Sequence, residues 1–238
     1  TWGGWDARVL GTTYEFYRLA LPSIAATYTG WIGFEGLVLC ASYFGEKQLA
    51  GQAIVLNTIA LVYEVSCGLG YATTARIGNL VGAAKPRQAR IAADVAYAAS
   101  ASVGALCTLF LMVAGDWWIS IYTADPSVAR EAAKLLPLAC VIIIGDGMNG
   151  MGGAILRGLG RQDVSAAVLA VGLYCFGVPI GVLLAYRLHM ELAGLWIGLC
   201  VSVLIATITQ LLYVKLRVRW ADEVHRCIER LQRGAIQS

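Results

Sequence analysis

Six long apolar runs follow one another along the chain, near Leu19–Phe44, Leu49–Tyr71, Ala92–Ala114, Val128–Ile155, Ala166–Tyr186 and Leu192–Val214. Each reaches the roughly 20 residues that an α-helix needs to cross a hydrocarbon core. None shows the strict alternation, in segments of about ten residues, of a transmembrane β-barrel. The pattern predicts an all-α, polytopic membrane protein built as a six-helix bundle. Its connections are short: 45–48, 76–90, 115–127, 157–164 and 187–191. Composition points the same way, since 58% of the 238 residues are hydrophobic and 14% charged, with a mean hydropathy of +0.68. Soluble domains run at about 45–50% apolar and about 25% charged, so too few polar groups are present to cover a water-facing surface. A soluble enzyme, a nucleic-acid-binding domain and a disordered tail are excluded.

Charge placement orients the bundle. Of the 18 Lys and Arg residues, Lys47, Arg130, Lys134 and Arg187 fall on one side and the other fourteen on the opposite side, among them Arg76, Lys85, Arg157, Arg161 and Lys215. Under the positive-inside rule both ends of the chain are expected in the cytoplasm. The expected organisation is a cytoplasmic lead-in over 1–17, a transmembrane lobe over 18–217 and a cytoplasmic amphipathic tail over 218–238. In that tail Trp220, Val224, Ile228 and Leu231 recur at helical spacing between charges. Such a helix lies along the membrane surface or stands in solvent. The chain starts at Thr1 without a signal-peptide pattern, which leads us to expect a piece of something longer.

Three acids sit inside the apolar runs: Glu35 in the first, Glu64 in the second and Asp146 in the fourth. An ionisable group at mid-membrane is costly and usually serves function from a cavity-facing position. A structural salt bridge would need a Lys or Arg at similar depth, and the sequence supplies none. A carboxyl kept from water without a cationic neighbour favours its protonated form, which suits a proton carrier. The acids therefore suggest a proton- or cation-coupled transporter. Tyr28, Trp31 and Ser42 share a helical face with Glu35, and aromatic rings beside a carboxylate suit an organic cation; ordinary packing is the other reading of those rings. Asp146 lies in Gly145-Asp146-Gly147, followed by Asn149, Gly150, Gly152 and Gly153. Such glycine density marks either an interrupted helix at a binding site or close helix packing. Gly177 and Gly181 flank Pro179 and predict a packing seam with a kink. The seven cysteines show no CxxC or Cys/His spacing, so they read as small packing residues, with no metal and no cofactor. No nucleophile–base pair or HExxH motif is present, and His189 and His225 fall outside the runs, so no enzyme is expected.

The run Arg76-Ile77-Gly78-Asn79-Leu80-Val81-Gly82-Ala83 resembles a motif of the multidrug and toxic compound extrusion (MATE) family, Arg-Val-Gly/Ser-Asn-x-Leu-Gly-Ala, in the loop after the second helix of a half. Similar matches follow in order: Leu21-Pro22-Ser23, Trp31 followed by Phe34-Glu35, Ile155-Leu156-Arg157-Gly158-Leu159-Gly160-Arg161-Gln162, Gly177-Val178-Pro179-Ile180-Gly181 and Gly194-Leu195-Trp196-Ile197-Gly198. The resemblance covers nearly the whole chain. It implies the C-terminal six-helix lobe of a twelve-helix eukaryotic antiporter, partnered by an N-terminal six-helix lobe, with a cavity between the lobes. Export of small organic compounds, cationic or amphipathic, would run in exchange for H⁺ or Na⁺ across the plasma or vacuolar membrane. By resemblance Glu35 and Asp146 fall on the acids implicated in proton coupling. Tyr28, Trp31, Asn57, Glu64 and Asn149 are the expected substrate contacts. The chain departs from the family at Gly30, where many relatives have a second acid. It departs again at Asn57, where some animal members have an acid; here Glu64 follows seven residues later, on the same helical face. The rival expectation is a non-transporting, half-size membrane scaffold or subunit.

Overall fold

A computed structural model describes residues 42–237, with side chains as far as Glu229, and before them Thr13, Tyr17, Tyr28, Ile32, Glu35, Gly36 and 38–40. The lead-in and most of the first expected span lie outside the described residues. The rest is helical, with no strand among the described residues. It comprises α1 (Glu46–Gly82), α2 (Pro86–Tyr122), α3 (Pro126–Gly158), α4 (Gln162–Arg187), α5 (Glu191–Arg217) and α6 (Trp220–Gln237). Helices α1 to α5 are the second to sixth expected spans. Four of them, α1, α2, α4 and α5, are long and apolar enough to cross a membrane. The fifth, α3, is the innermost: α1, α2 and α5 pack against it, and every residue from Met151 to Leu156 is buried.

Helices α1 and α2 hold 37 residues each, about 55 Å at 1.5 Å per residue, against a core of about 30 Å. The expected connections at 76–90 and 115–127 shrink accordingly to 83–85 and 123–125. The Arg76–Ala83 motif is therefore the closing turns of α1 and its cap, not a loop. The reason is packing beyond the apolar run: Ile77, Leu80 and Val81 join Ile155, Leu156 and Val214 in one buried cluster, which carries the helix past the hydrocarbon. Pro86 and Pro126 open α2 and α3, where a missing N–H breaks no helical bond. Asp125 caps α3 by accepting from the Ser127 backbone N and Oγ, both at 2.7 Å. The Ser127 hydroxyl first, and then its N–H, hold the Asp125 carboxyl below its ordinary range.

A second apolar cluster joins Val55, Ile142, Leu195 and Trp196. Two indoles tie α1 to its neighbours: Trp196 Nε1 of that cluster donates to Gln52 Oε1 at 3.3 Å, and Trp118 Nε1, which packs beside Leu111, Cys140 and Ile143, donates to Thr58 Oγ1 at 2.8 Å. Cys140 and Cys200 are buried among apolar neighbours. Helix α4 carries two wider π stretches, Val171–Gly177 and Leu183–Arg187, on either side of Val178–Val182. Pro179 lies between them, where its missing N–H disturbs the ordinary ladder. Against this irregular helix α5 lies backbone to backbone through Gly177, Gly181, Gly194 and Gly198, the seam that the small residues predict.

In the tail, Val224 of α6 is buried, and Trp220, Cys227 and Ile228 pack on the cluster around Leu80, Val81, Ala89 and Ala93, so the lobe itself covers these side chains. Glu223, 5% exposed, fixes the docking. Its Oε1 lies 3.3 Å from Arg161 Nε and 3.4 Å from Arg226 Nη1, while Arg161 Nη1 donates to the Tyr213 hydroxyl at 2.5 Å. Taking two partly covered cations and one carboxylate out of water is offset only because the three groups meet.

Candidate functional site

The outward faces of the bundle differ in chemistry. Helix α2 exposes Leu106, Leu109, Phe110, Met112, Val113, Trp117 and Ile121, the large apolar surface that lipid accepts. Helix α1 exposes Val65, and along one stripe it exposes Asn57, Leu61, Glu64, Gly68, Tyr71 and Ala75. Asn57 and Glu64 stand two turns apart on an unbroken helix and share that face. A carboxylate and an amide on such a stripe do not suit lipid. Tyr28 and Glu35, both helical and both exposed, lie upstream, and Trp31 falls outside the described residues.

Asp146 is placed differently. Helix α3 runs without interruption through Gly145–Gly153, so Gly145, Gly147, Gly152 and Gly153 mark close approach and not a broken helix. Asp146 is partly buried, and Asn149, one turn further on, is buried. The Asn149 amide donates to the Asp146 carboxylate, and its Oδ1 accepts from Gln210 Nε2 of α5 at 2.6 Å. One amide therefore passes the orientation set by another to the acid. Thr207 Oγ1 donates to the Gly145 carbonyl at 2.6 Å, and Tyr63 of α1 is an ionisable neighbour of Asp146. No salt bridge formed by the described residues reaches Asp146. Arg157 folds back along α3, yet its guanidinium ends near Gly153, seven residues, or about 10 Å, from Asp146.

Asp146 and Asn149 are thus in contact, whereas Glu64 and Asn57 occupy the open stripe of the neighbouring helix. Sequence reasoning missed Gln210, Thr207, Tyr97, Ser66 and Ser100. Each is a polar side chain inside an apolar run, and that is the signal available for them, because a polar group at that depth has to find a partner on another helix. Among the described residues no group of three His, Cys, Asp or Glu side chains is placed to hold a metal ion.

The MatE family model matches residues 22–183. The chain belongs to the MatE family. Multidrug and toxin extrusion protein 2 of Mus musculus is 30% identical over 221 residues, a match covering 93% of this chain and 38% of that protein. Uncharacterized transporter C4B3.13 of Schizosaccharomyces pombe is 30% identical over 219 residues, covering 92% of this chain and 40% of its own length. The crystal structure of the eukaryotic MATE transporter AtDTX14 superposes with a TM-score of 0.87 at 27% identity, covering 95% of this chain and 51% of that one. MatE proteins are integral membrane transporters, not enzymes. This MatE chain spans about 40% of the length of the curated relatives it matches, and about half of the superposed transporter.

Proposed function

We propose that the chain is the C-terminal lobe of an antiporter that expels organic compounds, cationic or amphipathic, in exchange for protons. Glu35 and Asp146 carry the proton, and Tyr28, Trp31, Asn57, Glu64 and Asn149 line the substrate path. The observation that carries this reading is the open stripe of Asn57 and Glu64 on α1, on a bundle whose α2 presents bulky apolar side chains. Such a face wants a water-filled cavity and a second wall, and an N-terminal lobe supplies both. The length of the relatives supports this arrangement, since they are more than twice as long as this chain. Coupling is a linkage in which proton and substrate shift the same conformational equilibrium through unequal affinity for its two states.

Two measurements test the reading. Protein made from the complete coding sequence and placed in vesicles should drive efflux of an organic cation with an imposed pH gradient. An Na⁺ gradient should not replace it, and the isolated 238-residue chain should be inactive. Efflux that follows Na⁺ alone would transfer the coupling to sodium, and activity of the isolated chain would favour a half-size assembly. Orientation is tested separately. Single cysteines at Lys47 and Ser127 should react with an impermeant reagent from outside and one at Pro86 should not; the inverse pattern would turn the lobe over in the membrane.

A further inference from the structure

At the basic end of the lobe, α2 and α5 bring their charges to one outward face. Arg90, Asp94 and Tyr97 follow at i, i+4 and i+7 and share a side of α2. Tyr97 shows where that side points. A Cβ on Gly152 of α3 would meet both the Tyr97 hydroxyl, at 3.0 Å, and Gln210 Cβ of α5, at 2.9 Å, so α2 and α5 flank α3 here. Nearer the start of α2, Lys215 of α5 crosses to Asp94 in an ion pair whose side chains stay 45% and 46% exposed. The junction of α5 and α6 is pinned to the same helix, because Val218 is buried in the cluster that holds Ala89 and Ala93. Arg217 and Arg219, on either side of Val218, point outward and are exposed.

Among the described residues, Arg87, Arg90, Lys215, Arg217 and Arg219 are thus exposed around one helix crossing. The exposed carboxylates nearest to them in the chain are Asp94 and Asp222, while Glu223 is turned inward to Arg161 and Arg226. Towards the middle of the bundle the same surface becomes apolar. On α2, Ala98 and Ala105 recur on the Asp94 side and are exposed. On α5, Ile208 and Leu212, two turns and one turn before Lys215, are 55% and 50% exposed. Small side chains on one helix and branched ones on the other leave a lane along the crossing, with cations at its end.

We infer that the α2–α5 crossing binds an anionic phospholipid from the leaflet that meets the basic end, its phosphate between Arg90 and Lys215 and an acyl chain along Ala98 and Leu212. Arginine takes phosphate with paired N–H donors, and basic pockets between membrane helices hold anionic headgroups. A neutral lipid would leave the cations unanswered, and a soluble anion would leave the apolar lane empty. The Lys215–Asp94 pair is no obstacle. An exposed ion pair contributes little to stability, and this one keeps the ammonium at the mouth of the lane.

The test uses protein from the complete coding sequence in phosphatidylcholine liposomes with increasing phosphatidylserine. A benzophenone amino acid at position 212 cross-links the lipid that fills the lane, and radiolabelled phosphatidylserine gives the half-saturating mole fraction. One basic residue near an anionic headgroup is worth about fivefold in affinity. Arg90→Gln and Lys215→Gln should therefore each raise that mole fraction about fivefold. Asp94→Asn should lower it about fivefold, since a like charge beside the phosphate is gone; loss of a purely structural ion pair would not tighten lipid binding. Arg76→Gln removes an exposed charge of the same end from α1 and should leave the mole fraction unchanged. Thermal unfolding confirms that each variant is folded, as expected for exposed side chains. Wild-type values in both Arg90→Gln and Lys215→Gln would overturn the site. An equal rise in Arg76→Gln would overturn it too, in favour of diffuse surface charge. Displacement of the lipid by millimolar inorganic phosphate at constant ionic strength would reassign the cations to a soluble anion.

Discussion

Asp146→Asn should abolish efflux driven by a pH gradient while the protein still folds and reaches the membrane. The substituted side chain keeps an oxygen that accepts from Asn149, so the chain of contacts from Gln210 through Asn149 to position 146 survives. What disappears is the capacity to gain and lose a proton. A coupled exchanger needs that capacity in every cycle, so the expected loss is at least about a hundredfold, the lower range for removing a positioned proton-transfer group. Glu35→Gln should behave in the same way. Glu64→Gln should be milder, because Glu64 stands exposed on α1, away from the amide pair that orients Asp146. Each variant is assayed for efflux of a fluorescent organic cation across a series of imposed pH gradients, at matched protein density. Two primary variants that kept the wild-type dependence on the gradient would send the proton by another route and remove Glu35 and Asp146 from the mechanism.

The membrane lobe was legible because hydropathy reports the solvent in which a helix sits. Ala166–Tyr186 and Leu192–Val214 came within four residues of α4 (Gln162–Arg187) and α5 (Glu191–Arg217) at either end. The same signal ends where hydrocarbon ends. It stopped at Tyr71, although α1 continues to Gly82 through Thr73, Thr74, Arg76 and Asn79. Tertiary packing of Ile77 and Leu80 sustains those last turns, and such packing has no local signature. In α2 the apolar run ended at Ala114, where the helix departs from ideal geometry (φ −116°, ψ 17°) and then continues to Tyr122. Asp146 was visible as a charge in an apolar run. Gln210 was not, since a lone amide reveals its partner only after α5 has been laid on α3 and its Nε2 set 2.6 Å from Asn149. The glycines of α3 carried two readings in sequence, and only the side chains that reach them, Ser100, Tyr97 and Gln210, separate close approach from a broken helix.

Gly198→Leu should prevent the lobe from folding stably, and Gly198→Ala should already be severe. At this position a Cβ would overlap the Gly177 carbonyl oxygen, stand 2.5 Å from Gly181 Cα and 2.7 Å from Gly181 N. All three are backbone atoms of α4, so no flexible side chain can swing away. The neighbouring positions leave no slack: a Cβ on Gly194 would stand 2.5 Å from Ala185 N, and one on Gly177 would stand 2.7 Å from Ser202 Cβ. Relief requires α4 and α5 to separate along the whole crossing. In a membrane, where lipid replaces any lost apolar contact, packing of this kind is a main source of helix association. Overpacking ordinarily costs about 1–3 kcal/mol, and a backbone-to-backbone clash belongs at or above the top of that range. Gly68→Ala is the matched control. Its Cβ would meet nothing within 4 Å among the described residues, and replacing a helical glycine should stabilise by about 0.5–1 kcal/mol. Thermal unfolding and the monodisperse fraction in detergent decide the matter. A Gly198→Ala protein as stable as wild type would mean that α4 and α5 do not meet at these glycines.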